Sequence, residues 1–148
     1  MKLNFTYNLD KDVENFIIGK TAVGAREHLS RRQAEYEKIY GADLDKEKIK
    51  KFILDFTAER KISMTDRMAT LQKEWNLIND EFVQRIEKIF SVKLPVEEIT
   101  AYLTVNDRCS YNPEHYYFFV NALTLAPKLL CAHEIFHFFT HFCFGSYL

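Results

Sequence analysis

The sequence has few of the residues that mark several common protein classes. It has only three cysteines, Cys109, Cys131 and Cys143, with no short CxxC spacing, so nothing indicates a disulfide framework or a cysteine-only zinc site. Its formal net charge of -1 provides no basic field for a phosphate backbone, and we expect no nucleic-acid partner. No uninterrupted apolar run approaches the roughly 20 residues that a membrane helix needs, so we expect no membrane span.

The N-terminal residues lack the apolar stretch and the small-residue cleavage site of a secretory signal. Unpaired cysteines fit a reducing compartment, and we therefore predict a cytoplasmic protein. The 148 residues, of which 47% are hydrophobic, are enough to form one core, so the sequence predicts a single domain over 1–148.

Residues 1–94 show mainly helical periodicity, in which apolar residues recur every three or four positions. The predicted elements are a strand at 2–7, a helix from Asp10, a helix over 22–40 that ends at Gly41, a helix from Asp43 or Asp45, and one long helix over 65–90.

Residues 95–148 change character, because β-branched and aromatic residues dominate two short runs at 99–105 and 116–120. These runs predict two neighbouring strands. An apolar helix is expected to follow, with Pro127 in its first turn and Gly145 at its end. The sequence as a whole predicts an α+β fold that is mainly helical with a small sheet.

The run His133-Glu134-Ile135-Phe136-His137 lies inside this last helix. Histidines four residues apart project from one face of a helix, close enough for both imidazoles to bind one Zn²⁺. Glu134, next to the first of them, can then act as general base on a water at the metal. The surrounding sequence is apolar almost all round and predicts a buried helix, in which a metal would be the partner of the imidazoles.

Residues 99–147 resemble the core of the zincin metallopeptidases, in which strands lead into a helix carrying HExxH, as in the gluzincin branch. The resemblance implies zinc ligation by His133 and His137, a general base at Glu134, and a peptide or protein substrate. It further implies that a strand before the helix, at 116–120, lines the cleft for an extended peptide.

Zincins use a third protein ligand, which in gluzincins is a glutamate on a later helix, and no acidic residue follows His137 in this sequence. His141 is one candidate, but on an unbroken helix it lies about 12 Å along the axis from His133, so it can bind only if the helix breaks. Cys109 is another, because peptide deformylases combine HExxH with an upstream cysteine. Another subunit could also supply the ligand. We expect instead that this chain is the N-terminal part of a longer protein whose next helix supplies a glutamate, or else that the domain is a degenerate zincin.

Two further histidines lie outside the motif. His115 is a candidate contact to substrate or an exposed loop residue, and His28 is expected at the surface. The aromatic C-terminal helix is expected to favour self-association. The leading function is a zinc-dependent hydrolase of peptide bonds. The alternative is a catalytically inactive zincin-like binding or regulatory module, and the third reading is a helical scaffold in which HExxH is coincidence.

Overall fold

The structure, a computed structural model, describes residues 1–21 and 29–145. Within these ranges helices predominate and the strands form one small sheet, which confirms the predicted α+β class. The strands are β1 (Lys2–Thr6), β2 (Glu98–Thr104), β3 (Tyr111–Asn112) and β4 (Tyr117–Asn121). The helices are α1 (Leu9–Thr21), α2 (Arg31–Tyr40), α3 (Lys46–Glu59), α4 (Met64–Asn76), α5 (Asn79–Phe90) and α6 (Pro127–Phe144).

The sheet has the strand order β1-β2-β4-β3. The first three strands in this order are parallel, and β3 lies antiparallel to β4 at one edge. The predicted strands at 2–7, 99–105 and 116–120 are therefore confirmed, and the last two are neighbours as expected. The two-residue strand β3 lies between the two predicted runs, where the turn-forming residues Asn106, Asp107, Asn112 and Pro113 favour a turn and no strand was predicted.

One face of the sheet carries most of its buried apolar residues, because alternate positions of a strand point to the same side. Phe5, Ala101 and Phe118 lie side by side in register on this face. Helices α4 and α6 contact the sheet there, through β1 and β4 respectively, whereas α1 contacts β2. The core includes residues from both 1–94 and 95–148.

The predicted long helix over 65–90 is wrong, because the chain forms two helices that are separated at Leu77 and Ile78. At the break the Ile78 N–H donates to the Trp75 carbonyl at 2.9 Å. Asn79 then begins α5, with its Oδ1 accepting from the Trp75 Nε1 at 2.9 Å and its Nδ2 donating to the Met1 carbonyl at 3.3 Å. The first side-chain contact is with a buried indole four residues earlier, and the second is with Met1, the residue that precedes β1. A periodic apolar stripe carries no information about them, since both helices keep the same spacing.

The helix starts differ in detail from the prediction. Asn8, not Asp10, caps α1, since its Oδ1 accepts from the Lys11 N–H at 3.0 Å. Asp45 caps α3 in the same way, which settles the choice between Asp43 and Asp45. Helix α2 begins only at Arg31 and ends before Gly41, and the predicted helical part at 22–28 lies outside the described residues.

The C-terminal helix agrees closely with its prediction. Pro127 occupies its first turn, where a missing N–H costs nothing, and Gly145 follows its end with φ of 67°. Among the helices of the described ranges, α6 included, none is both long and apolar enough to cross a membrane.

Candidate functional site

The two motif histidines converge on the outer face of α6. The Nε2 atoms of His133 and His137 lie 3.0 Å apart, and the two rings are nearly perpendicular. Two nitrogens bound to one tetrahedral zinc at 2.0–2.1 Å would be about 3.4 Å apart. The two nitrogens are therefore at hydrogen-bonding distance, and they would move apart by about 0.4 Å to share a zinc ion.

This face of the helix is not buried, so the expectation of a helix buried all round is wrong. His133 is exposed and His137 is half-buried, and two apolar neighbours, Leu129 and Phe136, are 73% and 47% exposed. The helix buries only its opposite side against the sheet, and Phe138 lies on that side. The sequence around the motif does not indicate which side of the helix is buried, because both sides are apolar.

Tyr111 stacks on the His137 ring, with the ring centroids 4.8 Å apart and the planes within 5° of parallel. Tyr111 belongs to the edge strand β3, and its ring also meets the edge of Phe138. Stacking of this kind restricts the rotation of the imidazole. Sequence reasoning missed Tyr111, because no local pattern marks which residue of a polar connecting segment returns to the edge of the sheet.

Glu134 lies on the buried side of the histidine pair and is only 6% exposed. Burial raises the pKa of its carboxyl from the usual 4.5 to about 7. Burial likewise raises the pKa of the Cys109 and Cys131 thiols to about 12, and the charge of Glu134 adds to both shifts, so the carboxyl lies near these two thiols. A carboxyl with a pKa near neutrality suits the role of a general base.

Neither candidate for a third ligand joins the histidine pair. Helix α6 continues through His141 without a break, so the condition under which His141 could reach the same ion as His133 is not met. Cys109 is a half-buried free thiol, and among the described residues it is not grouped with His133 and His137. In the part of the chain that the structure describes, no group of three or more His, Cys, Asp or Glu side chains is arranged to hold a metal ion.

Strand β3 supplies Tyr111 beside the histidines, and the assignment of 116–120 as the strand that lines a peptide cleft stays a prediction. Strand β4 (Tyr117–Asn121) lies between β2 and β3; β2 pairs with its whole length, whereas β3 pairs with it only at Tyr117 and Phe118. An extended peptide needs an edge with unpaired backbone groups, and β3 is the edge nearest the site. His115 lies exposed in the turn between β3 and β4, and His28 lies outside the described residues.

The raised pKa of Glu134 predicts how stability depends on pH in the metal-free protein. Because the folded-state pKa exceeds the unfolded one, the folded protein holds the proton more tightly between pH 4.5 and about 7. The free energy of unfolding should therefore fall as the pH rises through this window, by about 3 kcal/mol from Glu134 alone. Burial also raises the pKa of Asp12 to about 7, so Asp12 contributes a further fall in the free energy of unfolding.

Urea unfolding at pH 4.5 and pH 7.5, with EDTA present, measures this dependence in the parent and in Glu134→Gln. We expect the fall in the free energy of unfolding to be smaller in the variant by the contribution of Glu134, while the contribution of Asp12 remains. An equal fall in the two proteins would show that Glu134 ionises as freely in the folded state as in the unfolded chain.

Comparison with family models, with curated protein sequences and with solved structures gives no match for this chain.

Proposed function

We propose that this chain is a zinc-dependent hydrolase of peptide bonds in which His133 and His137 hold the metal and Glu134 is the general base. The observation that carries the proposal is the convergence of the two Nε2 atoms, 3.0 Å apart, on one face of α6. The buried carboxyl of the next residue in the helix, with its pKa of about 7, supports the same chemistry.

In this proposal a bound zinc ion supplies Lewis acidity, which polarises the scissile carbonyl and acidifies water. Glu134 takes a proton from the attacking water while the oxygen adds to the carbonyl carbon. The same carboxyl then returns the proton to the amine nitrogen as the C–N bond breaks. Tyr111 keeps the His137 ring in one orientation, since the two rings are stacked.

The substrate is a peptide or protein segment in an extended conformation. Strand β3 presents an unpaired edge of the sheet beside the histidines, where a peptide can add as a further strand through its main-chain hydrogen bonds. The exposed side chains of Leu129 and Phe136 border the same face of α6 and provide apolar surface for its side chains.

The proposed setting is the cytoplasm, because Cys109, Cys131 and Cys143 are all free thiols. No basic excess favours a nucleic-acid partner.

The end of α6 exposes Phe142 and Phe144, which supports self-association through this helix.

Metal analysis of the purified protein tests the proposal. We expect about one zinc per chain in the parent and almost none in a His133→Ala/His137→Ala double variant, since both ligands are lost. His115→Ala is the matched control, because His115 is exposed and lies outside the site. Equally low zinc in all three proteins would reject metal binding at this pair.

A catalytically inactive binding or regulatory module is the second candidate function. The observation in its favour is that α6 positions two ligands, whereas catalytic zinc sites usually have three from the protein. Both candidates predict metal at His133 and His137. They differ in whether Glu134 supports turnover.

A further inference from the structure

Tyr111 is held in place by the segment before it, which we call the 105–110 loop (Val105–Ser110). This loop connects the end of β2 to the edge strand β3. Two side chains of α1, Asp12 and Asn15, reach the loop from the face of the sheet opposite α6, and both are fully buried. A buried polar side chain on a helix is retained only where its hydrogen bonds are made.

Asn15 makes three hydrogen bonds that span the whole loop. Its Nδ2 donates to the Thr104 Oγ1 at 3.0 Å and to the Arg108 carbonyl at 2.9 Å, and its Oδ1 accepts from the Ser110 Oγ at 3.2 Å. The Thr104 hydroxyl donates its own proton to the Asp12 carboxylate, so it is free to accept from Asn15. One amide is therefore hydrogen-bonded to the last residue of β2, to the middle of the loop and to its last residue.

The hydrogen bond between Asn15 and Ser110 lies next to the site. The Ser110 carbonyl accepts from the Phe119 N–H at 2.9 Å, which fixes the entry of the chain into β3. The following residue, Tyr111, stacks on His137. A continuous set of contacts thus runs from Asn15 through Ser110 and Tyr111 to His137, across the edge of the sheet.

We propose that Asn15 is a positioning residue for the histidine pair: it holds the 105–110 loop so that Tyr111 stacks on His137 and keeps its imidazole directed toward His133. The effect on zinc affinity rests on the proposed function, whereas the effect on the His137 ring does not. Groups that orient metal ligands from outside typically change metal affinity by 10- to 100-fold when removed.

The first test uses the metal-free protein, in which the aromatic ring current of Tyr111 shifts the NMR signals of the His137 ring protons. We expect Asn15→Ala to move these signals toward their positions in Tyr111→Ala, because the stacked geometry is lost. Gln72→Ala is the matched control. Gln72 is also an amide that binds the backbone of an edge strand, through Leu3 at 3.0 Å and Phe5 at 2.9 Å, but on the far edge of the sheet. Unchanged His137 signals in Asn15→Ala would overturn the proposal.

The second test is zinc affinity, measured by competition with a chromophoric chelator. We expect Asn15→Ala and Tyr111→Ala each to weaken zinc binding about tenfold. Because Asn15 acts through Tyr111, the double variant should bind zinc no more weakly than Tyr111→Ala alone. Additive losses would mean that Asn15 stabilises the fold without positioning the ring, which overturns the proposal.

If Asn15→Ala does not fold, Ser110→Ala is the second variant. It removes only the hydrogen bond between the half-buried Ser110 hydroxyl and Asn15, and the same shift of the His137 signals is expected. If the parent binds no zinc, the proposed function fails. The NMR comparison then still decides whether Asn15 controls the stacking of Tyr111 on His137.

Discussion

Replacing Glu134 with glutamine is expected to slow peptide hydrolysis by about 10²- to 10⁴-fold, because the amide has nearly the same shape but cannot accept a proton from water. The zinc content should stay at the parent level, since Glu134 is the base in this proposal and not a ligand. The measurement is the rate of peptide cleavage at matched zinc occupancy, with a broad peptide library as substrate.

Glu114→Gln is the matched control for this substitution, because it makes the same chemical change at an exposed turn residue. It should leave the rate unchanged. If Glu134→Gln cleaved peptides as fast as the parent, Glu134 would not be the base. A parent that binds zinc at the histidine pair but cleaves no peptide would instead establish the binding or regulatory module.

Replacing Phe138 with alanine is expected to lower the free energy of unfolding by about 3 to 5 kcal/mol, the usual cost of removing a buried phenylalanine. Phe138 is 1% exposed and lies at the centre of an aromatic cluster that joins α6 to the β3–β4 hairpin. Its ring centroid lies 5.9 Å from that of Tyr111, 5.8 Å from that of Tyr116 and 6.3 Å from that of Phe118. The substitution removes these contacts and leaves a cavity beneath the candidate site.

Phe142→Ala is the control, since Phe142 lies one turn further along the same helix and is 45% exposed. Urea unfolding of both variants measures the difference, and Phe142→Ala should cost well under half as much as Phe138→Ala. Similar costs for the two would show that α6 is not anchored to the sheet through Phe138.

The sequence predicted those elements whose signals are local. The strand at 2–7 follows from the alternation of its residues, and the neighbouring strands of 99–105 and 116–120 follow from runs of β-branched and aromatic residues. Helix α6 follows from a proline near its start and a glycine after its end. The convergence of His133 and His137 follows from the four-residue spacing alone.

The features that the sequence did not predict depend on contacts between distant residues. At the break between α4 and α5, Asn79 donates to the carbonyl of Met1, which lies 78 residues earlier in the chain. Tyr111 follows the 105–110 loop, which makes hydrogen bonds to Asn15 of α1, some ninety residues earlier in the chain. The direction in which α6 faces also depends on the sheet, because its sequence is apolar on both sides.

The most direct test of zinc binding is the anomalous diffraction signal of a zinc-soaked crystal, recorded at the zinc absorption edge. The proposal predicts one strong peak within bonding distance of the Nε2 atoms of both His133 and His137, and the remaining density around it would identify any further ligand. Absence of a peak there, with the two imidazoles directed to different neighbours, would contradict the proposal and identify the HExxH run as a coincidence of sequence.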